Sequence, residues 1–184
     1  MKLYLMRHEK RDINNPKFDS PLLNEGINNA EKLKFTLDKL NPTLIYVSPF
    51  KRVLQTIKPF CDLKNVKVNR EFGLYEHIET NKGFDTNNFR SDVERTDLEY
   101  SILNTKYNSV IPLSDINVDD DCSKRVDIFI KEILTKYRDT NENILIVTHM
   151  TIVNTILKRD VELFFPMGGL CEVTDFNNFT FVYL

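Results

Sequence analysis

The amino-acid sequence predicts an α/β fold, in which a mostly parallel sheet carries helices on both faces. Short strands made almost wholly of apolar residues alternate along the chain with segments whose apolar residues recur at helical spacing. Apolar strands of this kind are typical of a sheet that is covered on both sides. At 184 residues the chain is long enough to bury a core, and we expect a single domain over residues 1–184.

The first half of the chain supplies three of the predicted strands and two helices. Residues 2–7 (KLYLMR) form the first strand, and a helix with Asn24 as its cap follows. The segment TLIYVS is the second strand, after which Ser48 caps the next helix and Pro49 takes its first position. Residues 66–68 make a weaker third strand.

The second half continues the alternation. An unbroken apolar stripe predicts a third helix, and its members are Val126, Phe129, Ile130, Ile133, Leu134 and Tyr137. The apolar segment NILIVTH is the fourth strand, and a helix runs from about Met150 to Lys158. Two closing strands lie near residues 172–175 and 179–183.

The composition excludes several classes of partner. The net charge is -2 and the chain has no overall basic bias, so a nucleic-acid partner is not expected. No apolar run approaches the roughly 18 residues of a membrane span, and no apolar signal region follows Met1. The three cysteines, Cys61, Cys122 and Cys171, are scattered without metal-ligand spacing. They indicate reduced thiols and therefore a cytoplasmic location.

Histidines and arginines stand where three of the predicted strands end. Arg7 and His8 close the first strand. Arg52 lies one helical turn beyond the second strand, and His149 ends the fourth. Because parallel strands present their carboxyl ends at one edge of the sheet, where ligands bind in such folds, we expect these four side chains to gather there.

Two arginines and two histidines at one place suit phosphoryl transfer. Guanidinium groups match phosphate oxygens as paired donors and stay charged near neutral pH. A neutral imidazole can attack phosphorus, which divides one difficult transfer into two easier steps. The second imidazole can stabilise the oxygens of the transition state. Since this chemistry requires neither a metal nor a cofactor, we expect none.

Phosphoryl transfer also needs an acid that protonates the departing oxygen. The segment REFGLYEHIE, just after the third strand, offers Glu71, Glu76 and Glu79. The turn Gly73-Leu74 precedes Glu76 and favours it as the residue that is aimed inward. Burial and a nearby phosphate would raise the pKa of such a carboxyl group, as a general acid requires.

The motifs together resemble the histidine phosphatase superfamily, which has the phosphoglycerate mutase-like fold. LMRHE is similar to its arginine-histidine signature, and SPFKRVLQT to its second signature. SPLLNEGINNAEKL, LYEH and IVTHMTIV resemble its helix-start segment, its acid loop and its second histidine. FPMGGLCEV is similar to the late turn that leads back to the sheet. The motifs occur in the family's order from Lys2 to about Gly169.

The resemblance implies a role for each matching residue. His8 is the nucleophile, Glu76 is the proton donor, and Arg7, Arg52 and His149 form the phosphate pocket. The implied activity is that of a hydrolase, a metal-independent phosphomonoesterase that acts through a phosphohistidine on His8. The implied substrate is a phosphorylated small molecule or a phosphoprotein.

The resemblance leaves two positions near the nucleophile open. Asn14 stands where the mutase-like branch has a phosphate-contacting asparagine, and Asn15 is its rival. Glu9 departs from the family, which commonly has glycine or alanine after the nucleophile. Its carboxylate either points away from the pocket or pairs with a nearby lysine or arginine. We expect an intact site in either case.

The segment at about residues 77–121 stands where this family usually inserts the chain that covers the site. Between Glu79 and Asp121 it carries ten acidic and four basic residues, which disfavours polyphosphorylated ligands. The segment is a lid or a solvated surface loop. Two other functions stay open, a phosphoglycerate mutase-type phosphotransferase and a non-catalytic module that binds phosphate or phosphopeptides. The sequence carries no signal for the oligomeric state.

Overall fold

The computed structural model describes residues 1–15, 17–77, 93, 100–116, 121–158, 164–175 and 178–183. The strands of this part of the chain are β1 (Lys2–Arg7), β2 (Leu44–Val47), β3 (Asn69–Arg70), β4 (Asn143–Thr148), β5 (Leu170–Asp175) and β6 (Asn178–Tyr183). Its α-helices are α1 (Asn24–Leu40), α2 (Lys51–Lys64), α3 (Cys122–Tyr137) and α4 (Met150–Ile156). The predicted alternation of strands and helices is confirmed.

The strands described form one sheet in the order β3-β2-β4-β1-β5-β6. The first four strands of this order are parallel, whereas β5 and β6 are antiparallel to their neighbours. The mostly parallel sheet is therefore confirmed. β1 lies between β4 and β5, and its last residue, Arg7, is opposite Thr148 at the end of β4. The carboxyl ends of β1, β2 and β4 thus meet at one edge.

The helices cover both faces of the sheet, as the apolar strands predict. Leu33 and Leu37 of α1 and Val53 and Ile57 of α2 pack in the core on one face. The apolar faces of α3 and α4 pack in a second cluster with the alternate residues of the strands. Because side chains alternate across a strand, each of the inner strands is buried on both sides.

Two predicted helix caps are wrong. Asn24 is the first residue of α1, and Leu23 occupies the cap position without a side-chain hydrogen bond. Likewise α2 begins at Lys51, after Phe50, rather than at Pro49. The hydroxyl group of Ser48 instead contacts a histidine at the end of β4. Caps are short local patterns, and a tertiary partner takes precedence here.

The third strand also differs from its prediction. The valines at positions 66 and 68 favoured a strand there, but β3 is Asn69–Arg70, which pairs with Tyr46 and Val47 of β2. Val68 makes a parallel bridge to Leu103 on the other side. Pairing with β2 sets the register of this edge, and the local preference of valine for strands does not.

The segment expected at about residues 77–121 is described in part. Residues 78–92, 94–99 and 117–120 lie outside the described residues, and the covering segment and single domain stay predictions. Tyr100 is buried in the core, and the Tyr107 ring contacts that of Tyr46. Both tyrosines therefore pack with the core. No helix within the described parts of the chain has the length and apolarity needed to cross a membrane.

Candidate active site

His8 follows β1 directly and is buried, with 1% of its surface exposed. Its backbone N–H donates to the carbonyl of Thr148 (2.9 Å), which continues the pairing of β1 with β4. The imidazole Nδ1 lies 2.7 Å from the carbonyl oxygen of Glu9. Since a carbonyl only accepts, Nδ1 carries the proton and Nε2 keeps its lone pair. Nε2 is therefore the ring nitrogen that has a lone pair available for attack.

The guanidinium group of Arg52 lies between the two predicted catalytic histidines and is fully buried. Its Nε donates to Nε2 of His8 (3.3 Å), and its Nη2 contacts Nδ1 of His149 (3.4 Å). The first turn of α2, after β2, places it there. The Phe50 ring lies 4.4 Å from its central carbon and forms a wall of the site.

His149 follows β4 as His8 follows β1, and it is also fully buried. The two imidazole rings are 5.2 Å apart at their centroids, and their planes are inclined at 66° to each other. The hydroxyl group of Ser48 lies 2.7 Å from Nε2 of His149 and holds the ring in place. The ends of three strands thus supply one connected group of side chains.

The surroundings of both histidines favour the neutral imidazole. Burial lowers the pKa of His8 well below its ordinary value, and the positive charge of Arg52 lowers it further. Burial and then Arg52 have the same effect on the pKa of His149. Burial also lowers the pKa of Arg52, to about 9, which still leaves the guanidinium charged at neutral pH. The site therefore combines a fixed cation with two uncharged bases.

Arg7 lies at the end of β1, at the same edge of the sheet. Its Nη1 donates to the backbone carbonyl of Phe165 and lies 3.5 Å from the sulfur of Met150. Its backbone N–H donates to the carbonyl of Gly169 (3.0 Å). The late turn predicted from FPMGGL therefore holds Arg7.

Glu76 reaches the same group from the loop after β3. Its Oε2 lies 3.3 Å from Nδ1 of His149, and 21% of its side chain is exposed. Burial raises the pKa of Glu76, although the nearby Arg52 opposes this shift. The hydroxyl group of Thr148 donates to the Leu74 carbonyl (2.8 Å) and fastens the loop to β4.

Glu71 has quite different surroundings. It is fully buried, and its carboxylate accepts hydrogen bonds from five donors. These donors are the hydroxyl groups of Tyr107 and Ser109 and the backbone N–H groups of Gly73, Val110 and Ile111. Glu71 therefore ties residues 107–111 to the acid loop. Glu79, the third candidate, lies outside the described residues.

Asn14 and Asn15 are both exposed, in a turn beyond the nucleophile. The backbone N–H of Asn14 donates to the carboxylate of Asp12 (2.9 Å), and that of Asn15 to the Asp12 carbonyl (3.3 Å). No contact of either side chain with the histidines is among those described. A phosphate-binding role for Asn14 stays a prediction.

The carboxylate of Glu9 is buried, and its described contacts are with residues other than Arg52 and the two histidines. It accepts hydrogen bonds from the side-chain amide of Asn29 and the backbone N–H of Lys10, both at 3.3 Å. Burial raises its pKa, and the hydrogen bond from Asn29 opposes this. Of the two expected arrangements, the carboxylate therefore adopts the one that leaves the pocket clear.

The positive charge of Arg11 lies near enough to this group to influence it, although the sequence interpretation did not include this residue. Burial is the main cause of the pKa shifts of His8, His149, Arg52 and Glu76, and the charge of Arg11 acts on all four. Its buried Nε has no hydrogen-bond partner among the described residues. Its position in the loop after β1, three residues beyond His8, was the available signal.

Several solved structures with a similar fold are named as phosphatases. The ecdysone phosphate phosphatase from Bombix mori, in complex with tungstate, has a TM-score of 0.70 and 15% sequence identity, covering 100% of this chain and 92% of that one. The mycobacterial glucosyl-3-phosphoglycerate phosphatase in complex with VO3 has a TM-score of 0.66 and 17% identity, with coverages of 100% and 98%. The alpha-ribazole phosphatase from Shigella flexneri has a TM-score of 0.59 and 19% identity, with coverages of 94% and 89%.

These likenesses establish the fold, and a comparison of sequences establishes the family. No curated protein matches the chain. The sequence model of branch 1 of the histidine phosphatase superfamily, however, matches residues 3–167, which include every residue placed in the site above. The chain therefore belongs to the histidine phosphatase superfamily.

Proposed function

We propose that this protein is a metal-independent phosphomonoesterase that acts through a phosphohistidine intermediate on His8. One observation carries the proposal. The buried guanidinium group of Arg52 lies 3.3 Å from Nε2 of His8 and 3.4 Å from Nδ1 of His149. A phosphate group whose oxygens bind Arg52 is thereby brought against the lone pair of the nucleophile, with the second imidazole beside it.

In the first step Nε2 of His8 attacks phosphorus as the bond from phosphorus to the alcohol oxygen breaks. The proton stays on Nδ1, hydrogen-bonded to the carbonyl of Glu9, so that the attacking ring becomes a phosphorylated imidazolium. Arg52, Arg7 and the half-buried Arg11 stabilise the negative charge on the phosphoryl oxygens. The buried Nε of Arg11 supplies a further donor for these oxygens.

Glu76 gives its proton to the departing alcohol oxygen in the first step. In the second step a water molecule attacks phosphorus, the bond to Nε2 breaks, and the Glu76 carboxylate takes the proton of that water. Inorganic phosphate leaves, and both His8 and Glu76 return to their starting states. The raised pKa of Glu76 supports this assignment, because a general acid has to be protonated near neutral pH.

The substrate class we propose is a phosphate monoester of a small-molecule alcohol. Three guanidinium groups already supply the positive charge that a metal ion would otherwise provide, which supports metal independence. The similar structures are named for such esters: ecdysone phosphate, glucosyl-3-phosphoglycerate and alpha-ribazole phosphate. Two of them hold tungstate or VO3, oxyanions that resemble phosphate.

The test is hydrolysis of p-nitrophenyl phosphate with and without EDTA, combined with trapping of the intermediate. The protein should hydrolyse the ester equally well with the chelator, and it should acquire an acid-labile, base-stable phosphoryl group. His8→Asn should lose both properties while staying folded. His77→Asn is the matched control, because His77 is exposed and should be dispensable. An active His8→Asn variant would refute the mechanism.

The same assay separates the other two functions. A mutase would need bisphosphoglycerate and would pass the phosphoryl group to a second substrate rather than to water. A non-catalytic module would bind vanadate without turnover of any ester. A panel of phosphometabolites and phosphopeptides would then define the natural substrate, and preference for the peptides would contradict the small-molecule class.

A further inference from the structure

Glu9 and Gly168, which are far apart in the sequence, fit together in the structure. Gly168 has a φ of +76°, in the left-handed region that favours glycine. A Cβ atom built on it would overlap with Oε1 of Glu9 and would lie 2.7 Å from the carboxyl carbon. The Glu9 carboxylate therefore occupies the space that any larger residue at position 168 would need.

The turn that contains Gly168 holds the end of β1. The Gly168 N–H donates to the carbonyl of His8 (3.1 Å), and the Gly169 carbonyl accepts the N–H of Arg7 (3.0 Å). The Phe165 carbonyl accepts a hydrogen bond from the Arg7 guanidinium group. The position of this turn therefore sets where Arg7 and the His8 backbone lie.

The backbone of Glu9 acts on the other side of the nucleophile. Its carbonyl accepts the Nδ1–H of His8 (2.7 Å), and its N–H donates to the hydroxyl group of Thr56 (3.0 Å). That hydroxyl group in turn donates to the backbone carbonyl of Arg52 (2.8 Å). One residue thus connects the nucleophile, the first turn of α2 and the late turn.

We propose that Glu9 is a positioning residue, whose carboxylate is a spacer between the nucleophile loop, residues 8–11 directly after β1, and the turn at Gly168. By filling this space it fixes the peptide that orients His8 and the turn that holds Arg7. Asn29 of α1 anchors the carboxylate through its side-chain amide. The proposal predicts that alanine, a residue usual in the family at position 9, impairs this site. The kinetic part of the inference rests on the proposed function, and the structural part does not.

The experiment is a double-mutant cycle with a control cycle in the same turn. Glu9→Ala, Gly168→Ala and the double variant form the main cycle. The control cycle replaces Gly168→Ala with Gly169→Ala, whose Cβ would meet Pro166 and Phe165 rather than Glu9. Glu9→Gln keeps the shape of the side chain and tests for rescue.

Three readouts are measured on each variant. Nitrogen NMR gives the fraction of neutral His8 that carries its proton on Nδ1, titration gives the Kd of orthovanadate, and hydrolysis of p-nitrophenyl phosphate gives kcat and KM. Glu9→Ala should lower the Nδ1–H fraction, raise the Kd and lower kcat, the last two by roughly tenfold. Glu9→Gln should recover most of each loss. A merely structural role would lower the Tm and leave the Nδ1–H fraction and kcat unchanged.

The cycles decide whether the contact itself matters. Gly168→Ala should lower kcat in both backgrounds. The factor by which it lowers kcat should be smaller by about threefold or more in the Glu9→Ala background, because the overlap is gone there. Gly169→Ala should lower kcat by the same factor in both backgrounds. If both cycles are additive, or if Glu9→Ala equals the unaltered protein in tautomer and kcat, the proposal is wrong.

Two further arms keep the result interpretable. If Glu9→Ala does not fold, Asn29→Ala removes one donor to the carboxylate and should shift the His8 tautomer in the same direction; an unchanged tautomer contradicts the proposal. If the unaltered protein hydrolyses no ester, the proposed function fails. The His8 tautomer, which requires no activity, then still decides the role of Glu9.

Discussion

The Oε2 of Glu76 lies 3.3 Å from Nδ1 of His149, so that the proposed proton donor and the second histidine are in direct contact. If Glu76 is the general acid, Glu76→Gln should slow the hydrolysis of alkyl phosphates by roughly 10²–10⁴-fold. The loss should be much smaller for p-nitrophenyl phosphate, because its leaving group needs little protonation. The pH profile should also lose its alkaline limb, which reports deprotonation of the acid.

Glu71→Gln is the control for this prediction, because it removes a carboxylate from the same segment. Its five hydrogen bonds are structural, and an amide cannot accept all of them. We expect a lower Tm and an equal loss with both kinds of ester. If the loss depends on the leaving group in Glu71→Gln and not in Glu76→Gln, then Glu71 is the general acid instead of Glu76.

The two buried histidines should make the protein less stable in mild acid. Folding lowers the pKa of His8 and His149 below the ordinary value of 6.5, so between these values the unfolded chain binds more protons than the folded protein. Above about pH 6.5 both histidines are neutral in the folded and unfolded states, and they do not reduce the free energy of unfolding. This free energy falls as the pH drops from about 6.5 toward the folded pKa values.

Urea unfolding between about pH 7 and pH 5 measures this slope. His8→Asn should reduce the slope by up to about 1.4 kcal/mol per pH unit, which corresponds to one proton. Raised carboxyl pKa values, such as that of Glu76, act in the opposite direction, but the comparison of variants cancels them. His77→Asn should match the unaltered protein. Equal slopes in all three proteins would contradict a buried, neutral His8.

Arg125 should hold in place the acid loop, residues 71–77, which carries Glu76. It is 3% exposed, its Nη1 donates to the carbonyl of Gly73 (2.6 Å), and its guanidinium carbon lies 3.5 Å from the centre of the Tyr75 ring. Arg125→Met keeps the length of the side chain but removes both interactions, which should displace Glu76. We expect kcat to fall by roughly tenfold for alkyl phosphates and by less for p-nitrophenyl phosphate.

The control for Arg125→Met is Lys124→Met, which changes the exposed neighbour on the same helix. Both variants remove one positive charge, so a general electrostatic effect would appear in both. If Arg125→Met affects the two esters equally, Arg125 stabilises the fold without positioning the acid.

Gly26 should be an exception to the rule that alanine stabilises helices. Replacing a helical glycine with alanine ordinarily adds about 0.5–1 kcal/mol. At Gly26, however, a Cβ would overlap with the carbonyl oxygen of Lys10, which accepts the N–H of Leu23 (2.9 Å). Gly26→Ala should therefore destabilise the protein by about 1–3 kcal/mol and lower kcat, because it moves the nucleophile loop.

Asn28→Ala provides the comparison, since Asn28 is exposed on the same helix and alanine should add a few tenths of a kcal/mol there. Chemical unfolding and kcat on both variants decide the point. A stabilised, fully active Gly26→Ala variant would show that α1 does not constrain the loop.

The convergence of His8, Arg52 and His149 could be predicted because it follows from topology. Each residue ends a parallel strand or lies one turn beyond it, and parallel strands end at a common edge. Glu76 required more, because five residues separate it from the strand Asn69–Arg70 and other carboxylates flank it. The turn at Gly73 gave the right candidate for the contact with His149.

The contacts that could not be predicted are those set by tertiary partners. Ser48 before a proline is as good a pattern for a helix cap as for a hydroxyl group that binds an imidazole. The space beside Gly168 that receives the Glu9 carboxylate exists only after β5 has paired with β1. Arg11 lies in a charged loop segment, and only burial separates it from its solvated neighbours.

The position of β1 in the sheet determines when the site can exist during folding. Both strands that flank it, β4 and β5, come from the second half of the chain. During synthesis β1 emerges first, yet it can be paired only after those strands have been made. The entropy lost in closing so long a loop is offset only when the whole sheet forms. His8 and His149 therefore cannot come together until β4 has been synthesised and has paired with β1.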